Sequence, residues 1–442
     1  QAQVEQHQAQ VDEVKAECRE KCDSLERRCG VLEARCGSLE RSIQVLKKDI
    51  GWTYKAPGIP RSHWIEQGRS EEYADNMEDF LRAIKSEVED IRKRGEGWSC
   101  SCLNNADAPH SEVLLPHFKE LADAIQVSSG AEGNIYIDNI ELHTKVIKQL
   151  FSAMEGRVTT LYVESMAFPA EDVAECYEII AGSVRSNHAL ERLTWFGNRI
   201  PSDDQADLFI ESIIDNRSIT NLDLDFCFHQ SEANGCRALV TLMTCGRPFE
   251  SIHFGGNGLS GIDDVAAALA TNPQLGELYL DENELNDRDA ELIAHALKHN
   301  TNLLGLHLRG NDITSAGFER LRNALYDPSS LNAMESCNHT CWVDCVEEND
   351  HYVGGNYNDM TPQQRRHRKL YALLSTRHAE CSNARRFNAE LGEGPYTLEL
   401  VPEVLDCIQR LSADRSAYAP LPLSLVFELV ESWKMPELCG RR

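Results

Sequence analysis

Basic side chains are scarce in this 442-residue sequence: 44 Lys and Arg stand against 71 Asp and Glu, a formal net charge of −27. Nucleic acids and anionic membranes are held by a positive face, so this balance argues against a general binder of either. A basic protein or peptide is the partner such a field attracts. No apolar run approaches the roughly 18–20 residues that a bilayer span needs, so no membrane insertion is expected. No secretory apolar region opens the sequence either. It begins at Gln1, without Met and already inside a helical pattern, which reads as the interior of a longer chain. Catalytic signatures are missing as well: there is no G-x-S-x-G, no H-E-x-x-H, and no nucleotide-loop or kinase motif. Scattered His, Asp and Ser carry no weight as a triad without geometry. The chain is therefore read as non-enzymatic, with no cofactor.

Cysteine is plentiful, at sixteen residues, but dispersed. Positions such as Cys176 and Cys236 fall where a reduced thiol packs as a small apolar group, which points to a reducing, cytoplasmic compartment. Cys337, His339, Cys341 and Cys345 place four soft ligands within nine residues. Their C-x3-C-x3-C spacing matches no standard zinc knuckle, and the lone Cys100-x-Cys102 pair lacks a second pair, so no metal is expected. The run Arg365–Lys369 is either a solvated helix face or a nuclear-import signal.

Residues 1–50 carry a heptad. From Cys22 onward, Cys22, Leu25, Cys29, Leu32, Cys36, Leu39, Ile43 and Leu46 alternate steps of three and four, with Leu at d and Cys or Ile at a. This predicts a coiled coil and a parallel homodimer. Residues 51–110 follow as a linker with one amphipathic helix, Glu72–Arg94, and a loop over Ser99–Pro109.

The central segment is periodic. Its units begin at Val158, Leu190, Ile219, Phe249, Leu275, Leu303 and Leu331, 26 to 32 residues apart. Asn198, Asn257, Asn283 and Asn311 each stand eight places after their unit's first apolar residue, whereas Met166 and Cys227 break that column. Amphipathic helical patterns fill the gaps. This L-x-x-L-x-L-x-x-N pattern resembles the ribonuclease-inhibitor class of leucine-rich repeats over residues 111–345. Ser330–Cys341 and Trp433–Leu438 resemble stretches of leucine-rich-repeat proteins of algal protists, which implies a shared carboxy-terminal cap and no activity. The fold expected is an α/β leucine-rich-repeat horseshoe, with an amino-terminal coiled coil and a helical cap over 346–442.

Residues 130–330 hold 31 acidic against 14 basic side chains, a net of −17. Strand residues alternate faces, so the positions two, four and six after each first apolar residue leave the core. They collect Tyr162, Glu164, Arg192, Phe196, Asp223, Asp225, His253, Glu277, Tyr279, Asp281, His307 and Arg309 on one concave face. Interleaved rings and carboxylates suit a protein-binding surface, with Tyr279 as an anchor. The function expected is that of a scaffold or adaptor. A GTPase-activating protein of the leucine-rich-repeat type, or a cytoskeletal component using the rod as a spacer, are the alternatives.

If the heptads drive association, the full chain sediments as a dimer, and Leu32→Asp with Leu39→Asp yields a monomer, because two d carboxylates would have to be desolvated. A monomeric mass for the unmutated chain sinks the coiled-coil reading.

Overall fold

A computed structural model describes residues 52–93, 97–104, 112–128, 133–229, 234–347, 360–380 and 382–390. The heptad segment and residues 391–442 of the expected helical cap lie outside them. The chain divides into two compact units between Thr160 and Leu161.

The first unit contains α1 (Arg61–Glu66), α2 (Glu71–Lys93), β1 (Ser99–Asn104), α3 (Leu115–Val127), β2 (Gly133–Asp138) and α4 (Thr144–Met154). The spacing of apolar residues explains α2. Met77, Phe80, Ile84, Val88 and Ile91 recur every three or four places and are all buried, against α3 and β1. Ser99–Asn104, the first part of the expected loop, is instead strand β1, paired in parallel with β2. Cys100 and Cys102 are buried in it, as is Leu103, and the two sulfurs lie 3.6 Å apart. Period-two burial, not ligation, accounts for the C-x-C spacing. Trp98 lies directly over Gly133, where a Cβ would come within 2.2 Å of the indole, so only glycine fits there.

β3 (Val158–Glu164) carries the chain into the second unit. There follow α5 (Val173–Ser186), β4 (Arg192–Phe196), α6 (Asp203–Asp215), β5 (Asn221–Asp223), α7 (Gly235–Thr244), β6 (Phe249–His253), α8 (Asp263–Ala270), β7 (Leu275–Tyr279), α9 (Asp287–Leu297), β8 (Gly305–His307) and α10 (Ser315–Leu325). After these come α11 (Leu331–Glu335), β9 (Trp342–Val343), α12 (Asp344–Glu347), α13 (Pro362–Ala379) and α14 (Asn383–Glu390). The strands lie side by side in chain order, and those from β4 to β9 pair in parallel. Each helix from α5 to α9 packs on its successor. This is an α/β, solenoid-like arrangement.

Register stacks like residues. Leu193, Leu222, Ile252, Leu278 and Leu306 form one buried column, and Trp195, Leu224, Phe254, Leu280 and Leu308 another. Each such side chain contributes about 1.5–3 kcal/mol by leaving water. At the end of each strand the chain turns through a left-handed residue, seven places after the unit's first apolar position: Ser165, Gly197, Phe226, Gly256, Glu282 and Gly310. The next residue clamps that turn. Asn198, Asn257, Asn283 and Asn311 donate to the carbonyls of Val163, Leu224, Phe254 and Leu280 in the preceding strand, at 2.8–3.0 Å. Their Oδ1 atoms accept from backbone N–H groups of the preceding turn. Cys227 keeps the pattern despite its different chemistry, because its thiol donates to the equivalent carbonyl, that of Trp195.

Two further expectations require correction. Leu331–Ser336, expected as a strand, is helix α11: Ser330 caps it by accepting from Ala333 N at 3.0 Å, and Leu-Asn-Ala-Met-Glu lacks β-branched residues. The last strand is Trp342–Val343, paired with β8. The run Arg365–Lys369 is not a solvated face either. Arg365, His367 and Lys369 are buried, Lys369 Nζ donates to Asn338 O at 2.8 Å, and Arg366 pairs with Glu335 at 2.6 Å. Basic residues held inside the fold are a poor import signal.

Asn283 makes four ladder bonds, to Phe254 O, Leu280 O, Asn257 N and Leu259 N. Asn283→Ala strands these buried groups and lowers stability by about 2–4 kcal/mol in urea unfolding, the cost of leaving several polar groups unsatisfied. A loss below about 0.5 kcal/mol would show that the ladder is incidental.

Candidate binding face

The strand face of the second unit holds all twelve residues expected there. Arg192, Glu277 and Arg309 are exposed; the other nine are half-buried. Thr194, which shares the fourth-position column, is instead buried.

Register brings Asp223 beside His253, His253 beside Tyr279, and Tyr279 beside His307. The three rings form a continuous stack. Centroids are 3.8 Å apart at 7° for His253 and Tyr279, and 3.9 Å apart at 5° for Tyr279 and His307. Trp342 closes the row edge-on, 5.1 Å from His307. Both faces of Tyr279 are thus covered, and its hydroxyl donates to Glu277 Oε2 at 2.6 Å. Tyr279 stiffens the face; it does not offer an open ring to a partner. The open rings lie elsewhere. Phe226, in the left-handed turn after β5, is exposed, lies across Gly256 and meets Phe196 edge-on at 5.3 Å.

Beside the stack runs a line of carboxylates. Asp225 Oδ1 accepts from Gly255 N, Asp281 Oδ1 from Arg309 N at 2.9 Å, and Asp223 Oδ1 from Asp225 N at 3.0 Å. Gly255 leaves a gap in this line, since a Cβ there would meet Asp281 O at 3.0 Å and Asp225 Oδ1 at 3.3 Å. Burial raises the carboxyls of Asp223 and Asp281 above the usual range. Burial, together with the neighbouring Asp223 charge, pushes Asp225 up to about 6. Burial lowers the His253 imidazole, and the charge of Asp225 only partly offsets this.

Sequence reasoning missed Phe226, because the seventh position is ordinarily small. It also missed Asp344, a buried carboxylate 3.3 Å from Arg309 Nε and 3.8 Å from His307 Nδ1, which accepts from Leu308 N at 3.1 Å. Asp344 belongs to the irregular last unit, where the repeat register gives no guide. Cys337, His339 and Cys341 do not converge on a common point: the Cys337 thiol is engaged by the carbonyls of Asn323 and Ala333, and Cys341 by that of Trp342. The Cys345 side chain lies outside the described residues. Among the described residues, the set that does converge is Asp223, Asp225 and His253, whose ligating atoms all lie within 4.8 Å of one another.

No protein-family model matches this chain, and no curated protein matches it. No helix among the described residues is long and apolar enough to cross a membrane.

A carboxyl whose folded pKa exceeds its unfolded value costs stability once it ionises. Stability contributed by protonated Asp225 is complete below about pH 4 and is lost as pH rises through 6. Asp225→Asn, in EDTA-containing buffer, should therefore raise stability at pH 7.5 by about 1–2 kcal/mol, and the gain should vanish towards pH 4. A gain that does not change with pH would refute this origin.

Proposed function

We propose that the second unit is a leucine-rich-repeat solenoid of the ribonuclease-inhibitor type. In this reading it is a non-enzymatic scaffold or adaptor whose strand face binds a basic protein or peptide. The carrying observation is a contrast in how acidic residues are partnered. On the helices, several acids are ion-paired: Asp215 pairs with Arg185, Asp207 with Arg237, Asp263 with Arg288 and Glu291 with Arg320. On the strand face, no Lys or Arg among the described residues forms an ion pair with Glu164, Asp223, Asp225, Glu277 or Asp281. Negative charge held beside the exposed ring of Phe226 and the half-buried ring of Phe196 attracts cationic side chains. A partner's Lys and Arg would supply the missing counter-charge, and Phe196 and Phe226 the apolar contact.

Binding is tested with a displayed library of random peptides selected on the full chain. Net-positive peptides should be enriched, and their association should slow as salt rises from 0.1 to 1 M and the Debye length falls from ~10 to ~3 Å. Asp223→Asn with Asp225→Asn should flatten that salt dependence, and Phe226→Ala should act on the off-rate. Asp215→Asn with Asp263→Asn, on the helices, should do neither. Selected peptides that are insensitive to the strand-face variants would overturn the reading.

A further inference from the structure

Among the charged groups of the strand face, Asp223, Asp225 and His253 differ from the rest in composition and geometry. They combine two carboxylates with an imidazole, on adjacent strands, and their ligating atoms lie within 4.8 Å of one another. Ligands around a first-row divalent cation at ~2.1 Å sit about 3 Å apart when adjacent and about 4.2 Å apart when opposite. Side-chain rotations that move each donor atom by about an ångström would close the set to those distances.

The surroundings orient each donor. Asp223 and Asp225 each have one oxygen fixed by a backbone N–H, from Asp225 and Gly255 respectively, so each carboxylate's second oxygen is the one available for ligation. The plane of His253 is set by its stack on Tyr279, which is in turn backed by His307. An imidazole ligates in its own plane, so stacking on its face leaves both nitrogens accessible. Neither nitrogen makes a hydrogen bond to another described residue. Gly255 removes the side chain that would otherwise crowd Asp225. Two like charges this close, without Lys or Arg between them, call for a positive group.

We propose that Asp223, Asp225 and His253 form a binding site for a divalent transition-metal cation. Two hard oxygens and one borderline nitrogen suit Mn2+ or Zn2+ better than Ca2+, which takes six to eight oxygens. Three protein ligands leave the solvent side of the ion to water. The inference does not depend on a basic partner, and its test contains none, so either reading can fail alone.

The probe is Mn2+, because sixteen cysteines would compete for Zn2+ through their thiolates. EDTA-treated and desalted full chain is titrated with Mn2+ at pH 7.5, and free ion is followed by its electron paramagnetic resonance signal. Thermal unfolding is recorded alongside. One saturable ion per chain is expected, with a rise in melting temperature. Asp225→Asn and His253→Gln should each weaken binding about tenfold or more and abolish the rise, while Asp215→Asn leaves both unchanged. Should His253→Gln fail to fold, Asp225→Asn decides, since it removes a destabilising charge. The absence of saturable binding, or an affinity indifferent to both variants, would overturn the proposal.

Discussion

Every turn from strand to helix in the second unit exposes backbone donors and acceptors that neither the strand nor the helix can use, and these groups are buried. The asparagine ladder satisfies them. One amide donates to the preceding strand and accepts from the preceding turn, as Asn257 does with Leu224 O and with the N–H groups of Cys227 and Phe228. A second ladder does the same at the other end of each strand. Asn216, Asn300 and Asn338 donate to the carbonyls of Val184, Leu269 and Leu297, at the ends of the preceding helices. Where a unit lacks this asparagine, the Arg247 guanidinium takes over, donating to Ile213 O and Ile219 O. With both ends of each strand pinned to its neighbour, the register has no freedom to slip. A slip of one residue would send every core side chain to the other face. Alignment of the strand-face columns is therefore a consequence of the ladders.

That alignment explains the ring stack. Neighbouring strands lie about 4.8 Å apart, and residues in register inherit nearly that spacing. Flat side chains can lean into face-to-face contact at 3.8–3.9 Å, as His253, Tyr279 and His307 do. The same geometry is unfavourable for carboxylates. Asp223 and Asp225 are held close by backbone hydrogen bonds while partial burial removes the water that would screen them, and the raised carboxyl of Asp225 is the consequence. On the helices the fold pairs several of its acids with arginine. Here it does not, so the strand face stores a local electrostatic cost that a bound positive group would relieve.

Much of this was legible because repetition multiplies a weak signal. Any single L-x-x-L-x-L stretch is ambiguous between strand and helix; several in register, with Asn198, Asn257, Asn283 and Asn311 at one offset, are not. The twelve strand-face residues follow from alternation alone. The failures fall where the period is lost or another rule overrides it. Ser99–Asn104 buries Cys100, Cys102 and Leu103, but a register shift between Cys100 and Leu103 breaks the alternation, and its polar outer residues look like a loop. Leu331–Glu335 offers an apolar start in step with the repeat, but Ser330 and a run of helix formers decide locally in favour of a helix. The second ladder is written in the sequence as Asn-x-x-Ile and Asn-x-x-Leu ahead of β5 and β8, at Asn216 and Asn300, a polar signal that the apolar period does not mark. Cross-strand relations were out of reach. Whether Tyr279 is an open anchor or the middle of a stack depends on side-chain torsions that no spacing encodes.

The basic run of α13 shows the same limit from the opposite direction. On a helical wheel, Arg365 to Lys369 looks like surface, because long cationic side chains are normally wet. Arg365, His367 and Lys369 are buried because the last repeat is irregular. The end of a solenoid leaves carbonyls that no further unit will satisfy, and a lysine or arginine can reach several residues to donate to them. Arg365 donates to Thr340 O and Lys369 to Asn338 O, the same stretch where Asn338 ends its ladder. A repeat that stops must replace the neighbour it no longer has, and here long cationic side chains do so by hydrogen-bonding the backbone. The charge that looked like an address is part of the closure of the sheet's last turns, and the positive groups used there are not available to offset the acids of the strand face.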